Sequence, residues 1–176
     1  LEALQRFVDL VALRDAAAGG IDFEQDGANI VIILRGANLA KICDEVYQSF
    51  PLSRARLLKH VYSKFKLAHG DRIAYFWLKK ADLARTGAES NDTEGLIDHI
   101  RAIEPVVVAC VFEELEPELT RISLRSKSRA VNVNEVAAQF GGGGHPAAAG
   151  ARIPGAPRTV QSAVIAAIKK AINSAK

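Results

Sequence analysis

The sequence predicts an α/β fold in which a mixed β-sheet is packed with helices and preceded by helical linker segments. Three observations predict it. Ile73–Leu78 and Val106–Phe112 are apolar runs of strand length separated by a helical pattern. Leu119–Ser126 alternates apolar with polar residues at period two, as a strand with one buried face does. Helical patterns ended by Gly or Pro fill the intervals between these runs. The order from there is helix, strand, helix, strand, strand, helix, loop, strand, helix, which implies a mixed sheet with helices against it. The chain divides into residues 1–35 of unassigned role, a helical linker over 36–68 and a sheet domain over 69–176.

Leu1 to Ala17 places Leu4, Phe7, Val8 and Val11 on one stripe, an amphipathic helix that Gly19-Gly20 ends. Asn29 to Leu34 reads as a buried strand from its β-branched content. Asn38 can cap a helix with the stripe Leu39, Ile42, Cys43, Val46 and Phe50. Pro51 breaks it, and Ser53 can cap another with Leu57, Leu58, Val61 and Phe65 inward. The outer face of that helix carries Arg54, Arg56, Lys59, Lys64 and Lys66, with no acidic residue between Glu45 and Asp71. It is either a solvated face or one that meets phosphates or an acidic partner.

Asp71 to Lys79 contains the run Ile73–Leu78, of strand type and covered on both faces, and Lys80 to Arg85 is a brief helix stopped by Gly87. Asp92 or Thr93 can cap the helix carrying Leu96, Ile97, Ile100 and Ile103, which Pro105 ends. Val106 to Phe112 follows as a central strand, and Glu113 to Glu118 makes an acidic turn into Leu119–Ser126. On that strand Ile122 and Leu124 fall on one face, and Arg121, Ser123 and Arg125 on the other. Asn134 caps a short helix to Phe140, Ala151 to Ile153 returns as a strand, and Thr159 to Ser174 closes the chain as an Ala-rich helix.

The 176 residues suit one domain with a real core and an appendage, and a net charge of +3 is too small to imply nucleic acid by itself. Cys43 and Cys110 lie within apolar patterns and read as buried thiols. No run approaches a membrane span, and the expected setting is the cytoplasm without a membrane partner. The chain contains no Met, so a longer parent protein is expected.

The most informative stretch is Phe140-Gly-Gly-Gly-Gly-His145-Pro-Ala-Ala-Ala-Gly150. Consecutive glycines free the backbone for φ > 0, and their N–H groups can converge on an anion. In this reading Gly143 adopts angles closed to Val. A flexible linker is the competing reading, but a helix pattern enters the tract and an apolar segment leaves it. A P-loop is excluded because His145-Pro146 stands where Lys-Ser or Lys-Thr is required. Gly142, Gly144 and Ala147 fit a dinucleotide fingerprint formally, but they follow a helix pattern rather than a strand. Arg125 can grip a phosphate through two parallel N–H bonds, or pair across the sheet with Glu113, Glu114 or Glu116. His145 can donate to a phosphate oxygen or act as a general acid, while His60, His69 and His99 lack ligand spacing and close partners.

Gly-Gly-Gly-His followed by Ala-Ala-Gly, with Ser123-Leu124-Arg125-Ser126 upstream, resembles the DHH-associated domain. That domain is the carboxy-terminal, substrate-binding half of DHH-family phosphoesterases. With Leu39 to Phe65 the pattern is most similar to bacterial nano-RNases that also act on phosphoadenosine phosphate (pAp). The resemblance implies that residues 69–176 are such a domain, in which Ser123, Arg125, Gly142, Gly143, Gly144 and His145 bind substrate phosphate. It implies partners too: short RNA or a nucleotide with a terminal phosphate, the protein's own amino-terminal DHH domain, and a homodimer. The family holds manganese or another divalent metal through aspartates and an Asp-His-His motif, which this sequence lacks. The chain alone is therefore expected to hold neither catalytic residues nor metal, and to be inactive. A nucleic-acid-binding module like that of alanyl-tRNA synthetases and an assembly domain are the alternatives.

Overall fold

The protein is described by a computed structural model covering residues 50–175. The expectations for residues 1–49, including both amino-terminal helices, the Asn29 to Leu34 strand and Cys43, lie outside the described residues. A compact unit begins at Leu52. Its elements are α1 (Leu52–Lys64), β1 (Lys66–Ala68), β2 (Ile73–Leu78), α2 (Lys80–Thr86), a 3₁₀ turn (Ser90–Thr93) and α3 (Leu96–Arg101). They continue as β3 (Val108–Glu116), β4 (Leu119–Ser126), α4 (Val133–Ala138), β5 (Gly143–His145), β6 (Ala148–Pro154) and α5 (Pro157–Ser174).

The mixed α/β sheet forms as expected, with six strands in the order β1-β2-β3-β4-β6-β5. Only β2 and β3 run parallel, because the chain between them is a crossover carrying α2 and α3. All other neighbours are antiparallel. The helix Leu52–Lys64 and the strand Lys66–Ala68 belong to this unit: Leu57 and Val61 are in its core, and β1 pairs with β2.

Each sheet face has its own core. On one, Val108, Cys110, Phe112, Ile122 and Leu124 pack beneath α4 and α5, the latter contributing Val160, Val164, Ile168 and Ile172 at helical spacing. On the other, Ala74, Phe76, Leu78 and Ala109 pack beneath Leu57 and Val61 of α1 and Leu96, Ile97 and Ile100 of α3. This second layer sits over β2 and β3, and the same face of β4 and β6 is left to a cleft.

Several boundaries differ from expectation, each for a tertiary reason. The acidic run is strand rather than turn: β3 continues through Glu116, because Glu113 stands opposite Arg121 and pairs with it. The reversal is Pro117-Glu118, with Glu118 at φ +60°. Ser53 does not cap α1; its hydroxyl donates to Asp92 Oδ2 at 2.9 Å. Asp92 also accepts from the Glu89 amide at 3.0 Å, so it closes the 3₁₀ turn rather than capping α3, which starts after Gly95. The cap of α4 is Asn132 rather than Asn134, with Oδ1 accepting from the Asn134 amide at 3.0 Å. Arg54, assigned to the basic outer face, instead donates to the carbonyls of Asp92 at 3.2 Å and Glu94 at 2.8 Å.

The expectation that three histidines lack partners is also corrected. His60 meets Asp82 at 3.1 Å, His69 meets Asn173 at 2.8 Å, and His99 meets the Tyr62 hydroxyl at 3.2 Å. All are contacts across the fold.

Cys110 is a free thiol at the centre of β3, and burial pushes its pKa well up. Only the thiolate is nucleophilic, so native Cys110 should be inert to thiol reagents. In a Cys43→Ser variant, Ellman's reagent is expected to modify no thiol in the folded protein and one after denaturation. Rapid native labelling would show that β3 opens locally.

Candidate ligand-binding cleft

Antiparallel register brings together, on one face, residues far apart in the chain. Along β4 the side chains of Arg121, Ser123 and Arg125 point the same way, since strand side chains alternate. Across β6 they stand opposite Arg152, Gly150 and Ala148. Gly150 and Ala148 in turn stand opposite Gly143 and His145 of β5. The face is thus a grid of three rows. Its middle row, Ser123–Gly150–Gly143, has almost no side chain. One flank holds Arg121 and Arg152, the other Arg125 and His145. The result is an open cleft of about 710 Å³ whose lining includes Arg121, Ser123, Arg125, Gly142, Gly143 and Arg152.

Small residues in the floor have a packing cause. A Cβ at Gly150 would stand 2.7 Å from the Ile122 carbonyl oxygen, and one at Gly142 would strike the Gly150 carbonyl oxygen and the Ala151 backbone. The strands can approach only because these positions are bare. Ala148 and Ala149 belong to β6, which runs Ala148–Pro154 rather than only Ala151 to Ile153.

The glycine tract is not the free anion loop that the sequence suggested. The Gly141 amide donates to the Ala138 carbonyl at 3.1 Å and the Gly142 amide to the Ala137 carbonyl at 3.0 Å, closing the end of α4. Gly141 sits at φ +73°, the left-handed geometry of a helix end. These two donors are therefore committed to the helix. Gly143–His145 then becomes the edge strand β5. Gly143 has no positive φ, and a Cβ there meets only Asn134 Oδ1, at 3.6 Å. The expectation of left-handed backbone at Gly143 is corrected: the requirement lies at Gly141, and at Gly144 with φ +150°.

Of the six residues singled out from the sequence, Ser123, Arg125, Gly142 and Gly143 line the cleft, whereas Gly144 and His145 do not. His145 is exposed on β5, two strands from Arg125 on the same face, a backbone separation of about 10 Å. Arg125 donates to the Leu124 carbonyl at 3.2 Å and forms no salt bridge among the described residues. The cross-strand pair considered for it belongs to Arg121, which binds Glu113. Arg125 instead faces Ala109 and Ala148, so most of its five donors remain available.

Arg152 and Arg121 are charged lining residues outside the six singled out from the sequence, and Arg152 was not assigned to this face at all. The signal for Arg152 was there in the alternation Ala148, Gly150, Arg152, once β6 is extended to Ala148. Among the described residues no group of three or more His, Cys, Asp or Glu side chains converges in a metal-like cluster. No helix among them is long and apolar enough to cross a membrane.

Comparison with known proteins places the chain in a family. The chain is 32% identical over 120 residues to the bifunctional oligoribonuclease and PAP phosphatase NrnA of Thermus thermophilus, covering 68% of this chain and 35% of that protein. It is 32% identical over 103 residues to the probable bifunctional oligoribonuclease and PAP phosphatase NrnA of Streptococcus mutans, covering 58% of this chain and 32% of that protein. The chain spans about a third of the length of these relatives. A crystal structure of an exopolyphosphatase-related protein from Bacteroides fragilis superposes with a TM-score of 0.72 at 27% identity, over 84% of this chain and 44% of that one. The DHHA1 domain matches residues 70–175, more than half of the sequence, and the chain belongs to the DHHA1 domain family.

Proposed function

We propose that residues 69–176 are the substrate-binding domain of a manganese-dependent phosphoesterase acting on short RNA and pAp. Its metal-bearing DHH domain would lie outside this chain, which alone would be inactive. The observation that carries this reading is Arg125: an arginine without an ion pair among the described residues, beside a floor too small to fill the space above it. A guanidinium on a rigid strand suits a planar phosphate contact. Ser123 and Gly143 would supply the floor, Gly142 and Gly144 the shape that admits the ligand, and His145 a donor at the rim. The matched relatives support the substrate class through their names, oligoribonuclease and PAP phosphatase.

A titration of the chain with pAp, a 5′-phosphorylated RNA dinucleotide and tRNA tests the proposal. Binding of the first two, with Arg125→Ala weakening both by about ten- to hundredfold, is expected from loss of a hydrogen bond to a charged group. Arg125→Ala should leave melting nearly unchanged. Unaltered affinity with lowered stability would make Arg125 a structural residue. Tight binding confined to tRNA would favour a tRNA-binding module instead.

A further inference from the structure

Arg152 has no account in the fold. It lies opposite Arg121 across β4 and β6, and like charges directly opposed on a sheet are destabilising. Arg121 is partly neutralised by Glu113 on its other side. Arg152 has no such relief, for it forms no salt bridge among the described residues. It is exposed, and it lines the same cleft as Arg125. Between them runs the row Ser123–Gly150–Gly143. Arg121 and Arg125 are four residues apart on one strand, which sets the two cationic flanks about 13 Å apart at the backbone. Guanidiniums reaching inward from both flanks would hold two anions a few ångströms apart, with a small ligand body over the bare row.

We infer that Arg152, with Arg121, forms a second anion subsite, so that the cleft selects ligands carrying two phosphoryl groups over those carrying one. The inference rests on the reading of Arg125 as a phosphate contact and adds the other end of the ligand. Two ligand types share the required chemistry: a nucleoside bisphosphate, and a short oligonucleotide with an internal phosphate beside its terminal one. Arg152 would act in discrimination and Arg125 in binding as such.

The test measures affinities of the full chain for AMP, pAp and the dinucleotide pApA, in the parent protein, Arg152→Gln and Arg125→Ala. The parent should favour both two-phosphate ligands over AMP. Arg152→Gln should reduce that preference by about tenfold, as expected for loss of a charge-assisted contact. A preference reduced for only one of pAp and pApA identifies which of them spans the cleft. Unliganded Arg152→Gln should melt no lower than the parent, because it removes a like-charge opposition. A preference unchanged in Arg152→Gln, or one absent from the parent, overturns the second subsite. The underlying reading fails separately, if Arg125→Ala binds all three ligands as the parent does. A lower melting temperature with unchanged preference would give Arg152 a structural role only.

Discussion

Gly142→Ala is expected to melt about 10 °C below the parent protein, the largest loss of stability that one methyl group should produce in this domain. The Gly142 amide closes α4, and the chain then passes directly over β6. A Cβ at this position would stand 2.5 Å from the Ala151 Cβ and 2.7 Å from its Cα, as well as against the Gly150 carbonyl oxygen. These are atoms of a paired strand in mid-sheet, not the ends of flexible side chains, so they cannot yield cheaply. Overpacking of this kind costs about 1–3 kcal/mol, and displacing the Gly142 amide from the Ala137 carbonyl adds about 1 kcal/mol. Thermal unfolding followed by circular dichroism measures the shift. Amide exchange should show β5 losing protection first, since β6 is its one strand neighbour at the sheet edge. A melting temperature within 2 °C of the parent would mean that Gly142 does not approach β6 as described.

Gly143→Val, one residue on, is expected to do the reverse: leave the fold intact and abolish binding. Gly143 lies in β5 with no left-handed φ, and its Cβ position meets only Asn134 Oδ1, at 3.6 Å. Valine is favoured in strands, and replacing glycine restricts the unfolded chain, so stability should hold or rise slightly. The new isopropyl group, however, would stand in the middle row of the cleft beside Gly150. Affinity for pAp should fall about a hundredfold or more, equivalent to about 2.7 kcal/mol. The pair of variants separates architecture from recognition, because adjacent glycines are needed for different reasons. Unchanged affinity in a folded Gly143→Val protein would remove the middle row from the ligand's seat. Melting as low as that of Gly142→Ala would make Gly143 a structural glycine instead.

How much was legible beforehand follows the range of the interactions involved. The parallel strands β2 and β3 were visible because burial on both faces leaves a continuous apolar run, and β4 because burial on one face leaves an alternation. The end of α2 at Gly87, with φ +68°, was visible because a helix stop is a local backbone event. β1 was missed: three residues carry too short a pattern, and its pairing with β2 is what makes it a strand. β5 was missed for a stronger reason. A run of glycines has no period at all, so only pairing with Ala148–Gly150 could reveal extended backbone there.

By itself, then, the sequence determined the α/β class, the main strands and helices, and the family resemblance. It did not determine which of Arg121 and Arg125 would be tied to a glutamate, since only the register placing Glu113 opposite Arg121 and Ala109 opposite Arg125 settles that. Nor could it separate the four glycines. The tertiary structure assigns Gly141 and Gly142 to the end of α4, and Gly143 to the floor of a cleft that Arg152 enters from another strand. Helix stops, apolar periodicity and residue chemistry are properties of neighbours along the chain. A register, a steric approach and an ion pair are properties of segments that meet only when the sheet closes.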